Sequence, residues 1–179
     1  MKERAPRNRT LIVHEDEKMA LMSQTVSLKA PCTPEEIDGK LIHQDLFACV
    51  DLLPDQFIDL LIIDPPYNLN KKFGNSKFSK TSSDAYEDWL DSWMAKLKRC
   101  LKKSASLYVC CDWQSSKSVQ TVLEKHFIVR NRITWEREKG RGANSNWKNC
   151  LEDIWFCTVS NDYFFNVEAV KLKRKVIAP

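Results

Sequence analysis

The stretch Phe57-Ile58-Asp59-Leu60-Leu61-Ile62-Ile63 is almost continuously apolar and stops abruptly at Asp64-Pro65-Pro66-Tyr67. Such a run suits a central strand of a parallel sheet, covered on both faces. The prolines end it, because each fixes φ and removes an N–H donor. Pro65 also biases Asp64 away from helical geometry. The chain is thus expected to exit a buried strand through a rigid, proline-stiffened turn.

The flanking pattern alternates strands and helices. Residues 39–43 read as a short strand meeting Gln44-Asp45, and 46–53 as a short helix closed by Pro54-Asp55. Residues 68–83 are rich in Asn, Lys and Ser and predict a surface loop. Asp84 and Glu87 have capping-box spacing. Tyr86, Trp89, Leu90, Trp93, Leu97 and Leu101 follow at helical spacing, predicting a helix over 84–102. Further strands are expected at 106–111, 127–135 and 151–158, with a helix at 115–125 and a charged loop at 136–148. This order implies an α/β sheet with right-handed crossovers. Residues 1–38 show no clean periodicity and read as an N-terminal extension to a domain at 39–179.

Composition narrows the function. With 179 residues, 43% hydrophobic and 29% charged, the chain reads as one ordinary soluble domain. No apolar run approaches the ~20 residues of a membrane span. The basic N-terminus lacks an apolar segment behind it, so a cytoplasmic protein without a membrane partner is expected. There are only 4 glycines, against about 13 at the usual ~7%. That scarcity argues against a complete glycine-rich nucleotide-binding domain. Seven cysteines form an odd set without a CxxC pair, so reduced thiols are expected. His14, His43 and His126 do not supply the closely spaced ligands of a structural zinc, and no metal site is expected. The net charge of +4 is compatible with a polyanionic partner. Cations cluster at Lys2, Arg4, Arg7 and Arg9, at Lys96–Lys103, and at Lys171, Lys173, Arg174 and Lys175. The middle cluster suits a helix C-terminus; the terminal ones suit either phosphate contact or solvation.

The turn at Asp64–Tyr67 is the candidate for chemistry. In an open α/β sheet, ligands bind beyond the carboxyl ends of the strands. Asp64 supplies a carboxylate acceptor, the backbone near the prolines supplies carbonyls without competing donors, and Tyr67 supplies a flat face. An acceptor-rich site with an aromatic wall suits a planar ring bearing an amino group. Asp45, just after the preceding strand, suits either a ligand contact or a helix N-cap.

From Gly39 onward the chain resembles the DNA amino-methyltransferases, in particular the bacterial subgroup whose catalytic half precedes its cofactor-loop half. Leu60-Leu-Ile-Ile-Asp64-Pro-Pro-Tyr-Asn68-Leu is the specific part. His43-Gln44-Asp45, the aromatic helix, Ile133-Thr134-Trp135 and Glu152-Asp153-Ile154-Trp155-Phe156 are supporting resemblances. The resemblance implies an α/β, Rossmann-like S-adenosylmethionine-dependent methyltransferase sheet, and a site-specific enzyme of DNA methylation or restriction–modification. Such an enzyme would act on double-stranded DNA, at adenine N6 where Asp leads the motif. Asp64, Pro65, Pro66 and Tyr67 would be catalytic. Tyr67, Asn68 and Trp135 would meet the flipped base, with core packing the alternative for Trp135. Asp45 and Leu46, with Asp64, would contact the cofactor.

The family also carries a glycine-rich cofactor loop after a strand. Gly140-Arg141-Gly142 has the wrong context for it, since charged residues precede it. The sheet is therefore expected to be incomplete, lacking the half with that loop. The chain would be a catalytic half that needs a second chain or the missing C-terminal half, and inactive alone. The alternatives are a degenerate, non-catalytic nucleic-acid-binding or scaffold subunit, and a cytosine-N4 or RNA methyltransferase.

Overall fold

A computed structural model describes residues 13–73, 76–141, 145 and 147–171. Two compact units divide the chain, Met1–Leu53 and Pro54–Pro179. Each is described by itself. Among the described residues no helix is long and apolar enough to cross a membrane.

In the N-terminal unit, α1 (Glu15–Met22) buries no residue. A capping box starts α2 (Pro34–Ile37), where the Glu36 carboxylate accepts from the Thr33 N–H at 2.7 Å. Asp45 caps α3 (Leu46–Cys49), which continues as a 3₁₀ turn over Val50–Leu52. The strand expected at 39–43 is reduced to one parallel bridge, Val26 to Ile42. The reason is local. Gly39 turns the chain at φ +64, and the Asp45 cap follows, leaving no length for a ladder.

The second unit is a four-stranded sheet in the order β1-β4-β6-β5. Strand β1 (Ile58–Ile63) runs parallel to β4 (Leu101–Cys111). Strand β6 (Asn149–Thr158) is antiparallel to both β4 and β5 (Ile128–Arg141). Helices α4 (Ser83–Cys100) and α5 (Ser116–His126) supply the packing layer. Along α4, Tyr86, Leu90, Trp93, Met94, Leu97 and Cys100 are buried, one stripe at helical spacing. From α5 come Val119, Val122 and Leu123. They meet the buried alternation of β4: Leu101, Ala105, Leu107, Val109 and Cys111. Inside that core the Trp155 indole N–H donates to Ser116 Oγ at 3.2 Å.

Four expectations need correction. First, among the described residues β1 pairs with β4 alone, so it is an edge strand and not a central one. Leu60 and Ile62 are 55% and 68% exposed, while Leu61 and Ile63 are half-buried. Apolar residues on both faces mark a strand that could be covered twice, without showing that this chain covers it. Second, the cap of α4 is Ser82, whose Oγ accepts from the Ala85 N–H at 3.2 Å. Asp84 instead lies in the first turn, where its charge suits the helix dipole. Third, the polar loop at 68–83 contains a hairpin of β2 (Lys71–Phe73) and β3 (Ser76–Phe78). Fourth, β5 runs on through Arg141 into the expected charged loop. It is the other edge of the sheet, and edge strands tolerate charge. Gly142, the terminal residues 1–12 with their basic cluster, and 172–179 with Lys173, Arg174 and Lys175 lie outside the described residues; Lys171 is described and pairs with Glu168.

After β6 the chain turns back under one cation. Arg130 donates to Thr158 Oγ1 at 2.9 Å, the Ser160 carbonyl at 3.1 Å and Asn161 Oδ1 at 2.7 Å. Its guanidinium also lies 4.8 Å from the centroid of the Tyr163 ring. Arg130→Ala should therefore lower unfolding stability by about 1–3 kcal/mol, the range of one or two charge-assisted bonds. Lysine should restore only part, since it lacks the planar fork. Urea denaturation of the three proteins measures both.

Candidate active site

Asp64 leaves β1 at the carboxyl end of the sheet, and the turn it opens is held from several sides. Asp64 and Pro66 are exposed, Pro65 is buried and Tyr67 is half-buried. From the first turns of α4, the Tyr86 hydroxyl donates to the Pro66 carbonyl at 2.9 Å. Burial holds the Tyr86 phenol above its usual range, so it stays a neutral donor. At the start of α5, Ser115 Oγ accepts from the Asn68 N–H at 3.2 Å. The Asn68 side chain clasps the backbone of Thr81. Its Oδ1 accepts from the Thr81 N–H at 2.8 Å, and its Nδ2 donates to the Thr81 carbonyl at 3.0 Å. A turn fixed in this way loses little further entropy when a ligand meets it.

The Tyr67 hydroxyl reaches across to β6 and donates to Glu152 Oε2 at 3.3 Å. Arg137 on β5 holds the other carboxylate oxygen, Nη1 to Oε1 at 3.0 Å. Burial raises the Tyr67 pKa most, and the neighbouring Asp64 and Glu152 carboxylates raise it further. The phenol is thus a neutral ring whose rotation its own hydroxyl restrains. Tyr67→Phe and Glu152→Ala should therefore couple in a double-mutant cycle. The expected coupling is about 0.5–1.5 kcal/mol in urea unfolding; strict additivity would deny the bond.

Beside the turn lies a cavity of about 250 Å³, whose walls include Pro66, Tyr67, Phe78, Tyr86 and Trp89. Tyr86 and Trp89 stack with centroids 5.7 Å apart. The site as a whole offers aromatic faces together with the Asp64 and Glu152 carboxylates. Two cysteines of the sheet are held as neutral thiols: burial pushes Cys111 and Cys157 up to about 12. Cys110 is also raised, by burial and then by Asp64 and Glu152.

Of the residues singled out from sequence, Asp64, Pro65, Pro66, Tyr67 and Asn68 share this one turn. The amide of Asn68 is engaged with Thr81, so its side chain anchors the turn. Trp135 is 58% exposed, which sets aside its reading as core, and it pairs across the sheet with Glu152. Asp45 and Leu46 belong to the N-terminal unit, where Asp45 Oδ1 accepts from the Phe47 N–H at 2.9 Å as an N-cap. Sequence reasoning missed the roles of Glu152, Arg137 and Tyr86. An acid inside an otherwise apolar strand was the available signal for Glu152. Tyr86 was hidden within a stripe that reads as core.

This arrangement has relatives. A family model for N6/N4 enzymes, described as DNA methylase, matches residues 58–176. The DNA adenine methyltransferase YhdJ of Escherichia coli (strain K12) is 27% identical over 153 residues, 83% of this chain and 52% of that protein. The type II methyltransferase M1.MboII of Moraxella bovis is 31% identical over 137 residues, 73% of this chain and 50% of its own. The chain thus spans about half the length of the curated relatives it matches. Among solved structures, the cytosine-N4-specific PvuII DNA methyltransferase has a TM-score of 0.55 at 16% identity, over 68% of this chain and 49% of its own. That likeness concerns the fold. The family match starts at β1 and takes in the whole sheet, the Asp64–Tyr67 turn and Glu152, so this chain belongs to the N6/N4 DNA methylase family.

Proposed function

We propose that this chain carries the amine-methylating site of a DNA methyltransferase acting at adenine N6. The observation that carries it is the Asp64–Tyr67 turn, fixed by Tyr86 and Asn68, with Tyr67 tied to Glu152. A base inside a duplex cannot reach such a turn, so the target must leave the stack. Tyr67 then supplies the stacking face. The Asp64 carboxylate and the Pro65 carbonyl accept hydrogen bonds from the exocyclic amine. Those bonds draw the nitrogen lone pair out of conjugation with the ring and aim it at the methyl donor. Positioning and fixed dipoles supply the catalysis.

S-adenosylmethionine is the methyl donor proposed, because the exposed Asp64 carboxylate beside Tyr67 favours a sulfonium cation nearby, while the Glu152 charge is already met by Arg137. When bound, it supplies an electrophilic methyl group for direct transfer. Asp45 and Leu46 are the residues proposed to meet its adenine edge, and Trp135 to wall the base. The exposed β1 edge supports completion of the sheet by a second chain or a further region bearing the glycine-rich loop. Adenine is preferred on the leading Asp of the motif. The relatives include both an adenine enzyme and a cytosine-N4 enzyme by name.

The test is transfer of labelled methyl from S-adenosylmethionine to mixed-sequence duplex DNA, followed by nucleoside analysis. The chain is assayed alone and with the unmatched half of a relative added. Label in N6-methyladenine is expected. Label in N4-methylcytosine would overturn the base assignment, and no labelled nucleoside in either assay would overturn the proposal.

A further inference from the structure

Strands β1 and β4 are parallel, so their chains leave the sheet side by side at one end. Ile63 pairs with Val109 at the last rung. One exit reads Asp64-Pro65-Pro66-Tyr67 and the other Cys110-Cys111-Asp112-Trp113. Trp113 therefore stands as far along its chain beyond Val109 as Tyr67 stands beyond Ile63. A hydrogen bond joins the two exits, from the Asn68 N–H to Ser115 Oγ at 3.2 Å. Tyr67 is half-buried, whereas Trp113 is 61% exposed.

A single exposed apolar residue is ordinary on a protein surface. The setting of this one is not. An indole left in water forgoes the burial of a large apolar area, and the turn that carries Trp113 is fixed. The Ser115 N–H donates to Asp112 Oδ1 at 3.0 Å and lies 3.2 Å from the Asp112 carbonyl oxygen that it also meets, closing the turn around Trp113 and Gln114. Ser115 is buried, and its carbonyl accepts from the Val119 N–H at 2.9 Å, which locks the turn onto α5. Gln114 Oε1 accepts from Lys80 Nζ at 3.1 Å. An indole is thus held out in solvent on a rigid turn beside the proposed base site.

We infer that Trp113 is a stacking contact for DNA, packing on the bases left exposed in the duplex when the target nucleotide is extruded. The inference rests on the reading of the site as that of a DNA methyltransferase. Extrusion costs the target its stacking on its neighbours. An apolar wedge at the opened step offsets part of that cost, and an aromatic ring can stack on any base, because every base has a π face. Tyr67 receives the extruded base while Trp113 meets the gap it leaves. The Asn68–Ser115 bond couples the two turns, so gap and extruded base are held in register.

A duplex with a preformed gap tests this directly. Binding of the full chain to two fluorescein-labelled mixed-sequence duplexes, one intact and one with a single tetrahydrofuran abasic site, is followed by anisotropy. The parent should bind the abasic duplex more tightly, since the extrusion cost is absent. Trp113→Ala should weaken that binding by about 10–100-fold, the loss of one base–aromatic stack, with a much smaller effect on the intact duplex. Trp113→Phe should retain part of the preference. The slope of log K against log salt should match the parent's in both variants, because no charge is removed. Trp147→Ala, which removes a still more exposed indole, should bind as the parent does. Thermal melts confirm that the variants fold. Parental affinity of Trp113→Ala for the abasic duplex, an equal loss on the intact duplex or in Trp147→Ala, or no abasic preference in the parent would overturn the inference. The two readings fail separately. A Trp113-dependent abasic preference without methyl transfer sinks the enzyme reading and leaves a DNA contact. Methyl transfer with a preference indifferent to Trp113 sinks the contact alone.

Discussion

Asp64→Ala should slow methyl transfer by about 10²–10³-fold, the usual cost of deleting one fixed group that stabilises charge in a transition state. As the amine attacks, its nitrogen becomes cationic and its protons become stronger donors. A carboxylate placed to accept them gains more in the transition state than in the ground state, and only such differential binding raises the rate. Asp64 is exposed at the end of β1, so its truncation should move stability by no more than about 0.5 kcal/mol. Single-turnover kinetics at saturating DNA and cofactor isolate the chemical step. A variant with parental rate would remove Asp64 from the mechanism.

The largest stability effect is expected at Leu107. This residue is 0% exposed in the middle of β4, with Leu61 of β1 and Cys157 of β6 as its cross-strand neighbours. Truncation to alanine removes apolar burial and leaves a cavity that neighbouring strands cannot close, costing about 2–5 kcal/mol. A domain holds only ~5–15 kcal/mol in total. Leu107→Ala should shift the urea midpoint strongly at unchanged m. A cost under about 1 kcal/mol would mean that β4 is not the centre of the core.

The sequence made most of this sheet legible, and the failures have physical reasons. Periodicity located α4 and α5, because their buried stripes face one layer only. It located β4 and β6, whose apolar residues are dense enough to mark strands. It placed β1 correctly along the chain and wrongly in the sheet. Leu60 and Ile62 are apolar whether or not this chain covers them. The hairpin was hidden because its pairing depends on Asn68 and Asn70 bonding to Thr81 and Lys80, a tertiary clasp with no hydrophobic signature. The motif itself was plain, since Asp, two prolines and Tyr after an apolar strand rarely coincide. Its supports were not. Glu152 lies 85 positions from Tyr67, and only the sheet order brings them together.

The most direct test of the site is a crystal structure of the chain with sinefungin, an analogue of the methyl donor, and a duplex that gives labelled product in the transfer assay. The complex should show a base extruded onto the Tyr67 ring. Its exocyclic amine should lie within about 3 Å of both the Asp64 carboxylate and the Pro65 carbonyl. A base left in the duplex, or seated away from Asp64 and Tyr67, would contradict the assignment of this turn as the methylating site.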